Sequence, residues 1–237
     1  MSKFEFKIVN FLVLSIPIFL ITGPFLPDLA LSLSCIFFII FIIRTRQFSL
    51  FKDNYFFIFL FFYSIIIISC LQSDYIEKIF FKNIFYFRYG IFLLLVNYII
   101  NRDKNFVKNL KNILLFTFIL LFVDSSIQFI FEKNILGFSS QPGRITSLFG
   151  DESVMGSYIV RLCPLLIALV YINKGNKYEV IFILSISFIL SILSGERASI
   201  VLFLILVSIF FLIWNHNIKK KIIYFIIFII FISSSFT

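Results

Sequence analysis

Charged residues are scarce in this sequence, and that scarcity decides the class of protein. Asp, Glu, Lys and Arg make up only 14% of the 237 residues, whereas 61% are hydrophobic and 37 are Phe. Soluble domains are about half apolar and a quarter charged, so a soluble fold is excluded. The apolar runs are continuous rather than alternating, which argues against transmembrane strands. The sequence therefore predicts an all-α, polytopic transmembrane helix bundle.

Cysteine and histidine are also rare, and their positions argue against metal or redox chemistry. Cys35, Cys70 and Cys163 lie in or beside apolar runs, without a CxxC or metal-ligand spacing. The single histidine, His216, lies in a basic segment that is typical of a loop. Motifs of phosphate loops, dinucleotide-binding folds, zinc proteases and nucleophile elbows are missing. We therefore expect no cofactor and no soluble-enzyme fold.

Apolar segments recur between short polar breaks and predict nine membrane spans. Several segments are shorter than the roughly 20 residues that cross a bilayer core, so flanking residues must extend them. The N-terminal segment resembles a signal peptide, but it has no small-residue cleavage site and another span follows directly, which favours a retained first span. The predicted spans are 8–22, 29–43, 54–70, 84–100, 113–131, 157–172, 180–194, 198–214 and 222–237.

The net charge of +9 is explained by basic loops, so we expect a membrane rather than nucleic acid as the partner. Short loops rich in Lys and Arg remain in the cytoplasm. A cytoplasmic N-terminus places most of the 21 basic residues in inner loops. Four arginines then fall on the outer side, namely Arg88, Arg144, Arg161 and Arg197.

Charged residues inside the predicted spans are candidates for a functional role, because a charge at the centre of a membrane helix costs about 3 kcal/mol. Arg88 and Arg161 each lie about one turn inside the outer end of a span. They could snorkel to the headgroups, or bind a phosphate or carboxylate through two parallel hydrogen bonds. Asp124 and Gln128 share a helix face, where they could form a contact between helices or belong to a functional site.

Two polar islands carry the remaining outer charges. The first, GRITSLFGDESVMGSYIVRLCPLL, lies at the end of the long outer loop. The second, LSGERASIV, predicts a tight outer turn at Gly195 with Glu196 and Arg197 at the membrane surface. This turn could be an ordinary charged hairpin tip. Alternatively, it contributes to an outward-facing anion site in which carboxylates hold arginines in place, comprising Arg144, Arg161 and Arg197 with Glu196 and Asp151 or Glu152.

These islands resemble the motifs of the O-antigen ligase and O-antigen polymerase superfamily. RITSLFGDESVMGSYIVRLCPLL is similar to its pattern of an Arg, a Phe-Gly-Asp-Glu turn, a Gly-Ser-Tyr helix start, an Arg and a Pro. LSGERASIV is similar to the Gly-Glu-Arg turn two spans later, and IFYFRYGIF to the Tyr-x-Arg span nearer the N-terminus. The resemblance covers roughly residues 80–214.

The resemblance implies a multi-pass glycosyltransferase of the bacterial inner membrane that acts in lipopolysaccharide and cell-envelope biosynthesis. It implies a donor glycan on undecaprenyl pyrophosphate at the periplasmic face, a glycan or lipid A core as acceptor, and no metal. The family arginines carry over as pyrophosphate-binding residues, namely Arg88, Arg144, Arg161 and Arg197. The outer carboxylates nearest to these arginines are candidates for a catalytic base, namely Asp151, Glu152 and Glu196.

Family members continue with a long periplasmic loop and further spans. We therefore expect that this chain lacks the catalytic loop and binds the donor without transferring it. A transporter of lipid-linked sugar or another anion would also need outward arginines, but should show internal repeats, and none is found in the sequence. A non-catalytic membrane subunit or remnant remains a third possibility. The sequence does not distinguish ligation from polymerisation.

Overall fold

The computed structural model describes residues 1–73, 76–140 and 143–214 of the chain. Within these ranges the elements of regular structure are helices, as the continuous apolar runs predict. A helix satisfies its own backbone hydrogen bonds and therefore needs no polar partner in lipid. The chain divides into two compact units, Met1–Leu110 and another that begins at Lys111.

Nine α-helices and three short 3-10 helices make up the regular structure of the described residues. The first unit contains α1 (Lys3–Phe19), α2 (Phe25–Thr45), α3 (Asn54–Leu71), α4 (Ile76–Phe85), α5 (Phe87–Arg102) and the first residues of α6 (Phe106–Phe131). The second unit contains the rest of α6 with α7 (Met155–Ile172), α8 (Lys177–Leu193) and α9 (Arg197–Trp214). The 3-10 helices are Leu20–Thr22, Phe48–Lys52 and Ser147–Phe149.

Six helical segments of the described chain are long and apolar enough to cross a membrane. They are Lys3–Thr22, Phe25–Thr45, Asn54–Leu71, Ile76–Arg102, Phe106–Phe131 and Met155–Ile172. α8 and α9 lie at the seventh and eighth predicted spans, and they have 17 and 18 residues respectively. The predicted ninth span lies outside the described residues. The helices suggest a multi-pass membrane protein, whereas nine spans and a cytoplasmic N-terminus stay predictions.

The predicted fourth span is interrupted near its beginning. Tyr86 separates α4 from α5, and its N–H donates to the Asn83 carbonyl while its own carbonyl accepts from the Tyr89 N–H. Both bonds join residues three apart, so a tight turn replaces the α-helical pattern here. Arg88 consequently lies in the first turn of α5.

In the first unit, polar contacts show which helix ends lie together. Arg44, at the end of α2, forms an ion pair with Glu5 in the first turn of α1, with an N–O distance of 3.2 Å. The Asn10 amide donates to Asp103, just after α5, at 2.8 Å. The start of α1 therefore lies at the same end as the last turns of α2 and α5. The basic loops that were predicted to be cytoplasmic in this unit follow those helix ends.

In the second unit, α7 contacts both α8 and α9, and α8 also contacts α9. At one end, Lys111 of α6 pairs with Glu179 of α8 at 3.5 Å. At the other end, the Ser125 hydroxyl of α6 lies 3.1 Å from the Met155 sulfur, at the start of α7. This other end brings together the last turns of α6 and α8 with the first turns of α7 and α9. We call it the motif end, because both polar islands lie there.

Candidate functional site

The buried pair on α6 holds the loop between α6 and α7 in place. Asp124 and Gln128 are fully buried. Asp124 accepts from the Ile135 N–H at 3.0 Å and from the Ser147 hydroxyl at 2.6 Å, while the Gln128 carbonyl accepts from the Ser147 N–H at 2.7 Å. The pair therefore anchors a loop, rather than forming the contact between helices that was one of its two interpretations.

Asn134 completes this anchor from within the loop. Its amide donates to the Ser147 carbonyl at 2.8 Å, and its side-chain oxygen accepts from the N–H groups of Leu136 and Phe138. The N–H, hydroxyl and carbonyl of Ser147 are thus all bonded, at a buried residue with a positive φ of 53°. Because an unsatisfied backbone group in an apolar region costs several kcal/mol, these bonds allow irregular backbone beside the spans.

The two polar islands contact each other at the motif end. The Ile145 N–H donates to the Leu193 carbonyl at 3.1 Å. Gly195 has a φ of +63°, which confirms the predicted turn, and a Cβ there would collide with the Gly143 carbonyl and the Arg144 side chain. Only glycine therefore allows the first island to lie against the turn between α8 and α9.

Glu196 binds the first turn of α7. One carboxylate oxygen accepts from the Gly156 N–H at 3.0 Å, and the other accepts from the Ser157 N–H at 3.2 Å and the Ser157 hydroxyl at 2.6 Å. The expected ion pair of Glu196 with an arginine is not formed among the described residues. The physical reason is that unpaired N–H groups and the positive end of the helix dipole attract a carboxylate.

A sequence signal for this contact existed and was missed. The residue before α7 is Val154, and it makes no side-chain cap hydrogen bond. Ser, Thr, Asp or Asn is the usual residue at that position. A helix that starts without a local cap needs its donors bonded from elsewhere, and Glu196 of the next polar island is the group that does so.

Three arginines lie at or near the motif end and form few polar contacts with other described residues. Arg144 donates one hydrogen bond to the Ser153 hydroxyl at 3.3 Å. Arg161 and Arg197 are exposed, and neither forms a hydrogen bond or ion pair with another described residue. Asp151 and Glu152 lie exposed in the turn before α7. None of these three arginines therefore forms an ion pair with a described carboxylate.

An apolar groove runs between α7 and α9 and includes Arg161. Its volume is about 570 Å³. Arg161 and Tyr171 are ten residues apart on α7, which corresponds to about 15 Å along the helix. Arg161 is the one charged side chain among the described lining residues, which are Val160, Arg161, Pro164, Ile167, Ala168, Tyr171, Leu202, Ile205, Leu206, Ile209 and Phe210.

Arg144 lines a different and smaller cavity of about 300 Å³. Its walls come from the end of α6, the loop and the end of α8. The other lining residues are Gln128, Phe129, Ser140, Gly143, Ile145, Ile192 and Leu193. The structure thus joins the backbones of the two islands but places Arg144 and Arg161 in separate cavities.

Arg88, in the first unit, has a partner that the sequence analysis missed. Its guanidinium forms a two-pronged ion pair with Asp28 and donates to the Ser32 hydroxyl at 3.1 Å. The Arg88 side chain is 27% exposed and that of Asp28 51%. Asp28 immediately precedes the predicted second span, on the same side as Arg88, and that position was the available signal. Arg88 thus links α2 to α5 and also lines a 350 Å³ cavity with Lys82, Phe85, Tyr86 and Tyr89.

The three cysteines are buried and are not in disulfides. Clusters of His, Cys, Asp or Glu that could hold a metal ion are not found in the described part of the chain. No protein-family model, curated protein or solved structure matches the chain. The resemblance to O-antigen ligases and polymerases therefore depends on the motif residues themselves.

Proposed function

We propose that this protein is of the O-antigen ligase and polymerase type, and that it binds a glycan carried on undecaprenyl pyrophosphate. The acceptor would be another glycan or a lipid A core. The observation that carries the proposal is the groove between α7 and α9, in which a long apolar surface meets the cation of Arg161, which has no partner among the described residues. An isoprenoid chain with an anionic head has the same two parts.

The arrangement of charge supports a diphosphate as the head group. Arg161 and Arg197 form no ion pair with a described carboxylate, and Glu196 accepts its hydrogen bonds from α7. Transfer of a glycan from a polyprenyl diphosphate builds negative charge on the leaving group. Preorganised guanidinium groups in a poorly hydrated site stabilise such charge. Asp151 and Glu152 remain candidates for the base that would activate an acceptor hydroxyl.

The distribution of basic residues supports the periplasmic side for the motif end. Lys174 and Lys177 lie in and beside the turn between α7 and α8, at the opposite end of the second unit. Short basic loops stay in the cytoplasm. The proposal therefore places the arginines at the outer face of a bacterial inner membrane.

The test is photocrosslinking in lipid nanodiscs with a photoreactive undecaprenyl diphosphate. We expect labelled peptides from α7 and α9, and competition by undecaprenyl diphosphate but not by undecaprenol. Ala168→Trp should fill the groove with the indole ring, which then covers the apolar surface that the isoprenoid chain would contact. We expect labelling to fall about tenfold or more. Ile181→Trp, at an exposed α8 position outside the groove, is the matched control.

Two results would contradict the proposal. Labelling that Ala168→Trp and Ile181→Trp affect equally would show that the groove does not hold the chain. Equal competition by undecaprenol would show that the diphosphate is not recognised. Movement of intact lipid-linked glycan across a vesicle membrane, without transfer to an acceptor, would favour the transporter instead.

A further inference from the structure

We propose that Glu196 is a positioning residue that sets the separation of Arg161 and Arg197. It does so by fixing the turn between α8 and α9 to the first turn of α7. This inference depends on the proposed function, because it explains how the site would distinguish a diphosphate from a monophosphate.

The contacts of Glu196 join the immediate neighbours of the two arginines. Arg197 follows Glu196 in the chain and begins α9. Ser157, which donates both its N–H and its hydroxyl to Glu196, precedes Arg161 by four residues on α7. Residues four apart on a helix share a face, about 6 Å between Cβ atoms. Any shift of the turn relative to α7 therefore changes the position of Arg197 relative to Arg161.

The surrounding packing makes Glu196 the polar link that matters most. A Cβ on Gly156 would collide with the hydroxyls of Ser194 and Ser199, so the turn lies directly against α7. The Ser199 hydroxyl donates to the Glu196 carbonyl at 2.9 Å and the Glu196 N–H donates to the Ser194 hydroxyl at 3.3 Å, but both bonds lie within the turn. Among the described side chains, Glu196 is the charged group that binds the turn to α7.

Two consequences follow for the anion site. The carboxylate already accepts three hydrogen bonds, so it neither neutralises an arginine nor is free to take a proton from an acceptor. It also occupies the N-terminus of α7, where a phosphate would otherwise bind. The phosphates of a ligand must therefore use the arginines. Two arginines whose backbones are held at a fixed separation favour two linked phosphates over one.

The experiment compares undecaprenyl diphosphate with undecaprenyl monophosphate on the whole chain in nanodiscs. The wild-type protein should bind the diphosphate more tightly. Glu196→Gln keeps the shape but loses the charge, and should reduce that preference about tenfold, the effect of one charge-assisted hydrogen bond. Affinity for the monophosphate should change little. Glu179→Gln removes a carboxylate that pairs with Lys111 at the opposite end, and should leave the preference unchanged.

Ser157→Ala tests the same contact from the other partner. It removes the 2.6 Å hydrogen bond and should lower the diphosphate preference less than Glu196→Gln does. The double variant should resemble Glu196→Gln alone, because both changes act on one contact. Reactivity of the buried Cys163 thiol, measured in each variant, reports whether the helices remain packed.

The possible failures are distinguishable. If the wild-type protein prefers the diphosphate and Glu196→Gln retains that preference, the positioning role is wrong and the proposed function stands. If Glu196→Gln lowers the affinity for the diphosphate and the monophosphate equally while Cys163 becomes reactive, Glu196 is purely structural and the inference is also wrong. If the wild-type protein does not distinguish the diphosphate from undecaprenol, the proposed function fails and this inference fails with it.

Discussion

Arg88 and Arg161 occupy similar positions in the sequence but have different surroundings in the two units of the molecule. Each lies about one turn inside the outer end of a predicted span. Arg88 is bound by Asp28 and Ser32 of a neighbouring helix, whereas Arg161 faces a groove without a described partner. The depth of an arginine in a span therefore does not determine its role. The role depends on whether the neighbouring helix supplies a carboxylate.

Asp124 extends the comparison to a third kind of environment. It is fully buried, and both of its oxygens accept hydrogen bonds from the loop between α6 and α7. The polar residues of the spans can thus be ordered by the extent to which the protein satisfies them, from Asp124 through Arg88 to Arg161. We expect the loss of stability on substitution to be largest for Asp124 and smallest for Arg161. We expect the loss of ligand binding to be largest for Arg161 and smallest for Asp124.

The largest effect on stability is expected for Asp124→Ala. It leaves the buried Ser147 hydroxyl and the only partly buried Ile135 N–H without their acceptor, and an unsatisfied group costs about 1–3 kcal/mol when it is fully buried. We expect a total loss of about 2–4 kcal/mol in the second unit. The measurement is the reactivity of Cys163 in a variant that retains only that cysteine, and Asp124→Asn is the matched control with a smaller loss. Unchanged Cys163 reactivity in Asp124→Ala would contradict the anchoring role.

The anchor also illustrates what the sequence could and could not predict. The helices were predictable because lipid requires each long apolar run to satisfy its own backbone. The turn at Gly195 was predictable because glycine accommodates positive φ. The partners of Asp124 were not, because a helix-face pattern shows that two side chains point the same way and does not show which loop folds back onto them.

The break at Tyr86 was missed for a related reason. The run NIFYFRYG has no Pro at the break, and its glycine, Gly90, lies four residues later. Residue propensities therefore gave no signal. For the site, Arg88 and Arg161 were identified as candidates by their cost in a membrane, and Arg144 and Arg197 by their positions in the polar islands. The separation of Arg144 and Arg161 into two cavities depends on how α6, α7, α8 and α9 pack, and one sequence does not predict that packing.

A smaller effect on stability is expected for Arg88→Ala, in the first unit. Its ion pair is partly exposed, and hydrogen bonds to charged groups contribute about 1.5–3 kcal/mol, so a loss of about 1–2 kcal/mol is expected. Cys35 reports it well, because its thiol lies 3.4 Å from the Arg88 carbonyl oxygen. In a variant that retains only Cys35, Arg88→Ala should increase thiol reactivity.

The double variant tests whether the ion pair is the cause. Asp28→Asn should have an effect similar to that of Arg88→Ala, and combining the two should add little. Fully additive losses would mean that the two residues act separately. If Arg88→Ala lost undecaprenyl diphosphate binding while Cys35 reactivity stayed unchanged, Arg88 would be a ligand-binding residue rather than a structural one.

The smallest effect on stability is expected for Arg161→Ala, and this variant decides the comparison. Arg161 is exposed and forms no hydrogen bond or ion pair with another described residue, so its removal should change the free energy of unfolding by less than about 0.5 kcal/mol. Cys163 is buried two residues along α7 and should remain unreactive. Binding of undecaprenyl diphosphate should nevertheless weaken about tenfold or more, because a charge-assisted contact is lost. Arg161→Lys keeps the charge but not the planar fork, and should recover only part of the affinity. If Arg161→Ala destabilises the second unit as much as Arg88→Ala destabilises the first, Arg161 is a structural residue and the contrast between the two arginines disappears.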